Sequence, residues 1–522
     1  MTISASRVQF IWSPLLGWAL LTCSASLAFG QVGSALPGVT IGPAAPGTTT
    51  GDQSTTQPGD STSSTPGGGL GGTTSGAPDA STPVPTVTAP PPIPLPPGTT
   101  VQNPSTQLIP GLSDTLGGAG LIGGRAADGT SAGGAPGGDE LGITMGSFRL
   151  FPGVDITTGY DSNVFAQNAS AGSLTSSLST IIAPTLALRS EWLNHSINLL
   201  MGGGFGFYQS APTQNYQNYF LVVDGRIDIR DDWTLTYSTG YRRATEALGT
   251  PNVSFAQAPT VNESIPLMLS TTKKFNRVGI EVGASATRAW FTDFSTITSV
   301  GLDAQSRNRT TYEEHFNISY ELSDDITLSV GPSLTQTKYE QAIDSVGQNR
   351  NSTALGMNVG GTWKINPTST IAGSVGYSTN SSEGGLGTTS AYVFSLGGSW
   401  DGIPFLVLRP SLSRSISETA LSAYRNTTST VFGMDFAYEI LPEWTMTGGL
   451  SYNMTDYNPI DGLGATPRTD TFTRGTLGFL YSFRPQLSIG PVFEYTQGAS
   501  TDSTAGPSYN RQLFSIRLSA KR

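Results

Sequence analysis

The chain has 522 residues, of which 12% are charged and 64 are glycine, and its formal net charge is -10. Soluble domains carry about 25% charged residues and about 7% glycine, so the composition argues against a string of ordinary soluble domains. The mean hydropathy is only -0.11, and after the first thirty residues no apolar run approaches the length of a spanning helix. No block of Lys or Arg appears, so nucleic acid is not an expected partner.

The N-terminus predicts a secretory signal peptide over residues 1–30. Arg7 supplies positive charge, Phe10 to Leu21 form an apolar region, and Ala28-Phe29-Gly30 offers small residues for cleavage. The single cysteine, Cys23, lies inside this segment, and its lipidation is a weaker alternative. After ordinary cleavage the mature chain has no thiol, which excludes disulfides and thiolate metal sites.

Residues 31–146 are rich in Gly, Pro, Ser and Thr, including the run from Ala89 to Pro97. Such a segment cannot bury enough apolar surface to offset the entropy of ordering, so we predict a disordered linker. In the predicted topology it is a solvated periplasmic tether. Alternatives are a ligand for peptidoglycan or a periplasmic partner, or a segment whose apolar residues around Leu108 to Ile122 enter a barrel mouth.

From residue 147 to 522, alternating segments are joined by tight turns at a spacing of roughly 37–48 residues, which suits two membrane strands and an outer loop. Eight such turns, with one strand before and one after, predict about eighteen strands and place both ends on the short-turn side. Pro266, Pro332, Pro410 and Pro491 could each mark a bulge or strand edge, so sixteen to twenty strands stay possible. The turns are Leu193-Asn194-His195, Asp231-Asp232, Asn276-Arg277, Ser323-Asp324-Asp325, Asn366-Pro367, Gly402-Ile403-Pro404, Leu441-Pro442-Glu443 and Arg484-Pro485-Gln486.

The period-two alternation indicates which environment each face meets. Ile326, Leu328 and Val330, for example, alternate with polar or small residues. Sandwich strands average about 5–6 residues, whereas these alternations persist for longer. In hydrocarbon only a closed sheet satisfies its backbone, and its outer face must be apolar. We therefore predict an all-β, transmembrane, antiparallel up-and-down β-barrel in a bacterial outer membrane. Its tryptophans beside short turns would form an aromatic girdle: Trp233, Trp363, Trp400 and Trp444.

The opposite parity gives a set of candidate lumen-lining residues with mixed charge. They either line a polar, water-filled channel or fill the interior with cross-strand ion pairs. No basic run appears among them, so strong anion selectivity is not indicated. The set is Asp224, Arg226, Asp228, Arg230, Arg242, Glu281, Glu313, His315, Glu321, Lys364, Arg409, Asp435, Glu439, Glu494 and Arg517.

Catalysis and metal binding receive little support from the sequence. Of the two histidines, His195 belongs to a predicted turn, where a solvated role is expected, and His315 is explained as an inward polar residue. A general-base role for His315 would need a serine and an orienting acid beside it. No cluster has metal-ligand spacing. We expect no enzyme, no cofactor and no metal site.

Two motifs give the chain a family resemblance. Tyr160-Asp161-Ser162-Asn163-Val164-Phe165, after Phe151-Pro152-Gly153-Val154, resembles the opening of the putative β-barrel porin type 2 family of Gram-negative outer-membrane proteins. The turn Asp231-Asp232-Trp233, and less closely Pro442-Glu443-Trp444, is similar to that family's repeats. The resemblance implies an outer-membrane barrel, and similar proteins are often discussed with exopolysaccharide or capsule export.

Three functions follow as hypotheses. The first is a porin-like channel for small hydrophilic solutes; the others are a component of exopolysaccharide or capsule export and a structural barrel with an occluded lumen. Expected partners are outer-membrane lipid, lipopolysaccharide and the barrel assembly machinery. A periplasmic protein bound by the linker is an alternative partner. The chain ends Ser519-Ala520-Lys521-Arg522, without a final aromatic residue, so assembly would depend on internal residues such as Phe514, Ile516 and Leu518.

Overall fold

The computed structural model describes residues 142–168, 174–246, 248–249, 259–293, 304–502 and 506–522. The predicted signal peptide, Cys23 and the linker up to residue 141 lie outside the described residues. The end of the predicted linker does not stay irregular, because Ile143–Met145 pairs with the first barrel strand through a turn in which Gly146 has a φ of 66°.

The described chain forms one antiparallel sheet of long strands. Barrel strands range from 12 residues in β14 to 18 residues in β15. Two short 3-10 helices occupy Pro212–Gln214 and Gln305–Arg307. No helix in this part of the chain is long and apolar enough to cross a membrane. The strands are β1 (Ile143–Met145), β2 (Phe148–Asp161), β3 (Ser177–Ser190), β4 (Ser196–Tyr208), β5 (Tyr216–Arg230), β6 (Trp233–Glu246), β7 (Thr260–Phe275), β8 (Val278–Asp293), β9 (Arg309–Glu321), β10 (Ile326–Tyr339), β11 (Ser352–Lys364), β12 (Thr370–Ser382), β13 (Thr388–Ile403), β14 (Leu406–Ser417), β15 (Tyr424–Leu441), β16 (Trp444–Pro459), β17 (Arg468–Arg484), β18 (Leu487–Ser500) and β19 (Tyr509–Lys521).

Each strand from β2 to β19 pairs with its sequence neighbour, and β19 pairs with β2 to close the ring. The result is a closed up-and-down barrel of eighteen strands, with β1 added beside the start of β2. Closure leaves no free sheet edge, as a membrane barrel requires. The predicted fold class and the predicted strand number are both confirmed.

All eight predicted tight turns fall at junctions between consecutive strands, within two residues of their predicted positions. We call this side of the barrel the short-turn end and the opposite side the loop end. The junction after β7 has only two residues, and Asn276 there adopts a φ of 57°, a left-handed conformation that Asn tolerates better than most residues. Both the start of β2 and the finish of β19 lie at the short-turn end, as an even strand number requires.

The proline positions correct one expectation. Pro266, Pro332, Pro410 and Pro491 all lie inside strands, and the register runs past each of them without a shift. A proline removes one ladder donor, but the neighbouring pairs of a long strand hold the register. At Pro266 the Thr239 hydroxyl also donates to the proline carbonyl at 2.9 Å. Four of the five register shifts lie instead beside short turns, at Asp228/Arg230, Trp400/Ile403, Glu439/Leu441 and Ser482/Arg484, and the fifth is at Tyr424/Asn426.

Candidate channel interior and loop-end constriction

The ladder register separates the barrel into two chemically different faces. Residues directly opposed on paired strands point to the same face. One face carries exposed apolar side chains, such as Leu328, Val359 and Val375. The other carries side chains that are polar and largely buried, such as Glu494, Thr496 and Ser515, each 0% exposed. The apolar face is the outside of the barrel, and the polar face is its interior.

The register places all the candidate lumen residues of strands β5 to β19 on the interior face, with one exception. Thus Asp224 opposes Ser238, Glu313 opposes Thr335, and Arg409 opposes Asp435. Arg230 follows a register shift at the short-turn end and is exposed. That these residues line a solute path stays a prediction.

The four predicted girdle tryptophans lie on the outer face at the short-turn end. Trp363 is 53% exposed, and Trp444 stacks on Tyr481 with ring centroids 5.0 Å apart. Trp233 donates to the Thr271 hydroxyl at 2.7 Å. Trp400 opposes Leu408 on the same face. Their contact with a lipid interface stays a prediction.

A second aromatic group lies on the outer face, toward the loop end. The sequence analysis did not identify it. Tyr241 and Trp290 donate to the Glu263 carboxylate at 2.6 and 2.7 Å, and Arg243 donates to it at 3.0 Å. Tyr219 stacks on Tyr241 with centroids 6.0 Å apart. Sequence reasoning could not find this group, because its five residues come from four strands whose register was not known.

One side of the interior, from β17 through β19 to β2, holds its charges in tight pairs, and we call it the ion-paired wall. Its four carboxylates are 0 to 4% exposed in their side chains. Arg474 reaches Glu494 at 2.8 Å, and Arg468 reaches Asp470 at 2.6 Å. The remaining pairs, Arg511 with Asp161 and Arg517 with Asp155, cross from β19 to β2. These last two pairs therefore tie the seam at which the barrel closes.

The motif that carried the family resemblance builds this seam. The Asp161 carboxylate accepts two bonds from Arg511 Nε at 3.0 Å and one from the Asn163 backbone at 2.9 Å. The Asn163 amide donates to the carbonyls of Gln167 at 2.8 Å and Asn510 at 3.1 Å. Val164 packs on Tyr208 in a small buried cluster. The motif is thus a structural corner where the first and last barrel strands meet.

The opposite side of the interior, on β8 and β9, has a different chemistry, and we call it the acceptor wall. It consists of Glu281, Glu313, His315 and Asn317, which are 3 to 7% exposed. The Ser270 hydroxyl donates to Glu281 Oε1 at 2.7 Å, and His315 Nε2 lies 3.5 Å from the same oxygen. Glu313, His315 and Asn317 each contain a buried polar atom without a hydrogen-bond partner in the described residues.

His315 has the room it needs because glycine lies opposite it. A Cβ at Gly283 would approach the His315 ring to 2.2 Å. The ring therefore lies across Gly283 toward Glu281. The other histidine, His195, is exposed in the first short turn, as expected. Its Nδ1 accepts from the Asp228 backbone at 3.0 Å, and its own N–H donates to the Asp228 carboxylate at 2.9 Å.

At the loop end, Arg307 joins two distant parts of the ring. Its guanidinium donates to both Glu246 oxygens at 3.0 and 3.1 Å and to Glu418 at 3.3 Å. It also lies 4.0 Å from the centroid of the Phe291 ring, and its side chain is 2% exposed. Glu246 ends β6, and Glu418 follows β14, eight strands farther around a ring of eighteen. We call Arg307, Glu246 and Glu418 the Arg307 clamp.

The electrostatics of the clamp keep it charged. Burial alone would lower the pKa of Arg307, but the Glu246 and Glu418 carboxylates raise it well above its usual range. Burial would raise the pKa of Glu418, but the Arg309 and Arg307 guanidinium groups outweigh it and hold that pKa below its usual value. At neutral pH both partners are therefore ionised.

A second arginine ties the same segment after β14 to the loop after β10. Arg350 donates to the Tyr424 carbonyl at 2.9 Å, to the Ser422 carbonyl at 2.8 Å and to Asp344 at 2.5 Å. Leu421 is only 1% exposed and packs with Tyr424 and Tyr457. The segment between β14 and β15 is therefore folded into the loop end of the barrel and narrows it. Sequence reasoning missed this constriction, because contacts between loops carry no periodic signal.

The closed ring, its apolar outer face and its polar interior define a transmembrane β-barrel of the porin type. The family described as "Putative beta-barrel porin 2" matches residues 135–522, and the chain belongs to it. The predicted family is confirmed, and the protein is a porin-like barrel of the bacterial outer membrane.

Similar solved structures include the following three proteins. OpdQ of Pseudomonas aeruginosa is 10% identical over 72% of this chain and 97% of its own, with a TM-score of 0.39. OccK5 (OpdH) of the same organism is 12% identical over 71% and 97%, with a TM-score of 0.37. The FrpB iron transporter of Neisseria meningitidis is 10% identical over 73% and 82%, with a TM-score of 0.38. These low scores transfer neither substrate nor mechanism. A comparison with curated proteins found no match.

Proposed function

We propose that this barrel is a porin-like channel that passes small hydrophilic solutes across the outer membrane. The observation that carries the proposal is the polar interior face, which continues around the ring from β2 to β19. Side chains that need only fill an interior are more cheaply apolar, because buried polar groups cost free energy unless they are paired. A polar interior is what a water-filled path requires.

Taken around the whole ring, the charges on this face are of both signs. A mixed interior sets a local field across the path without excluding either sign of ion. We therefore expect uncharged and zwitterionic solutes to pass, with size set by the constriction at the loop end. The Arg307 clamp and Arg350 form the narrowest part of that constriction in this proposal.

A second candidate function is a structural barrel with an occluded lumen. It is favoured by the same clamp, because one buried guanidinium joins strands on nearly opposite sides of the ring. In the channel hypothesis this contact restricts the path, whereas in the occluded hypothesis it seals the path permanently.

Solute flux into proteoliposomes separates the two candidates. The purified full chain is reconstituted, and swelling is followed with neutral sugars of increasing size beside protein-free vesicles. A channel gives swelling with the smallest sugars and a size cut-off. Swelling no faster than in the protein-free vesicles, with the barrel shown to be inserted by heat-modifiable gel mobility, would contradict the proposal.

A further inference from the structure

We propose that the acceptor wall is a binding site for small organic cations that carry primary amines, with diamines as the best-fitting class. The inference rests on the proposed channel function, because a solute reaches this wall through the lumen. It goes beyond that function in naming a site and a class of substrate.

The wall has a linear geometry set by one strand. Glu313, His315 and Asn317 alternate on the interior face of β9, so neighbouring members are about 6.7 Å apart along the strand. Their partners across the ladder on β8 are Ser285, Gly283 and Glu281, in the same order. Glu281 therefore lies beside Asn317 at one end, and Glu313 marks the other. The site is elongated, with a carboxylate toward each end.

The atoms that lack partners all accept hydrogen bonds. They are Glu313 Oε1 and Asn317 Oδ1, whereas His315 Nε2 faces Glu281 Oε1 at 3.5 Å, an arrangement that suits a hydrogen on Nε2. Each belongs to a side chain that is at least nine-tenths buried. A ligand that satisfies this row must donate hydrogen bonds, and an ammonium group offers three donors and a positive charge.

The charge balance on the wall favours a cation over water. Each buried carboxylate of the ion-paired wall has an arginine nitrogen within 3.2 Å of one of its oxygens. Among the described residues Glu313 has no such salt bridge, and the nearby Arg309 is occupied by Glu418 at 3.3 Å. Glu313 therefore has a carboxylate that no Arg or Lys among the described residues pairs with, and an added ammonium group would supply that partner.

The shape of the wall favours an elongated ligand over a metal ion. Glu313 and Asn317 are separated by about 13 Å along the strand, which a single ion cannot bridge but a short chain with two amines can. No group of three or more His, Cys, Asp and Glu among the described residues is placed to hold a metal ion.

The test is equilibrium binding of 1,4-diaminobutane to the full-length protein in detergent, by calorimetry at mildly alkaline pH. We expect saturable binding that weakens about tenfold or more in Glu313→Gln, as loss of one charge-assisted hydrogen bond predicts. The matched control is Glu321→Gln, which removes the same charge from the same face of β9, where Lys274 pairs with it at 3.0 Å. The control should bind as the wild type does.

Three outcomes would overturn the site: equal binding in Glu313→Gln, equal binding of the neutral butane-1,4-diol, or no binding because ordered water alone fills the row. The diol comparison uses only wild-type protein, so the test survives if a variant fails to fold. Binding is measured without conduction. A protein that binds the diamine yet passes no solute would contradict the channel function and support the site, whereas a conducting protein that ignores the diamine would contradict the site alone.

Discussion

The two walls of the barrel interior differ in how their buried polar groups are paired. On the ion-paired wall, each of the four carboxylates meets an arginine, and two of the four pairs bind β19 to β2 across the seam. On the acceptor wall, Glu313 and Asn317 keep buried oxygens without partners. Both walls are polar, but only on the first does every named carboxylate have an arginine partner.

The difference indicates that the two walls have different roles. Buried charges that pair fully and share a seam hold the ring closed, because removing one partner leaves the other desolvated and alone. Buried acceptors without hydrogen-bond donors destabilise the fold. Such groups concentrate where a ligand or water supplies the missing hydrogen bonds. We interpret the ion-paired wall as structural and the acceptor wall as the part that meets solutes.

Breaking the ion-paired wall should have the largest effect on stability. Arg511→Ala leaves Asp161, which is 0% exposed, without its main partner at the seam. Loss of one partner of a buried pair costs about 3–5 kcal/mol. Glu313→Gln on the acceptor wall should change stability by no more than about 1 kcal/mol, because it removes a charge that has no ion pair. Urea unfolding in lipid vesicles measures both, and equal losses would erase the distinction between the walls.

Opening the Arg307 clamp should change conduction more than any single change on either wall. In Arg307→Ala, Glu246 and Glu418 repel each other at the mouth, and the closed arrangement loses about 3–5 kcal/mol. We expect a larger single-channel conductance in planar bilayers. The control is Arg288→Ala, whose outer pair with Glu340 is exposed and worth about 0–1 kcal/mol. An unchanged conductance in Arg307→Ala would remove the clamp from the path.

Acid should release the same clamp. The pKa of Glu418 lies below its ordinary value of 4.5, so the ion pair contributes fully above that value and is lost as the pH falls through the lower one. Conductance should therefore stay constant from neutral pH down to the ordinary carboxyl range and rise only at lower pH. Glu418→Gln should be open at neutral pH and lack this rise. A transition near neutral pH would show that another group controls the mouth.

Much of this architecture could be predicted from the sequence, because the strand alternation and the turn spacing are periodic. The eight turns, the eighteen strands and the parity of residues such as Glu313 and Arg409 follow from alternation and turn spacing. The pairing of Arg511 with Asp161 could not be predicted, because it joins residues 350 positions apart through a register that only closure defines. The Arg307 clamp could not be predicted either, because Arg307 lies in a loop and its two partners lie at the ends of distant strands.

A smaller effect tests the assignment of the faces themselves. Glu314 is the neighbour of Glu313 but points outward and is exposed, opposing Ala284 and Leu334 in the ladder. A carboxylate on the lipid side is unfavourable, by less than the about 2–4 kcal/mol of a basic residue at midplane. Glu314→Leu should therefore stabilise the barrel by about 1 kcal/mol in vesicles. Destabilisation by that change would place Glu314 in water or against a protein partner.

The reversal potential of single channels in a salt gradient tests the contrast between the walls most directly. Recordings would compare the wild type, Glu313→Gln and Glu314→Gln under identical mildly alkaline conditions. We predict that Glu313→Gln shifts the potential toward lower cation preference, while Glu314→Gln, which removes the same charge from the outer face of β9, leaves it at the wild-type value. An electrically silent wild type, or the same potential in all three proteins, would contradict the account.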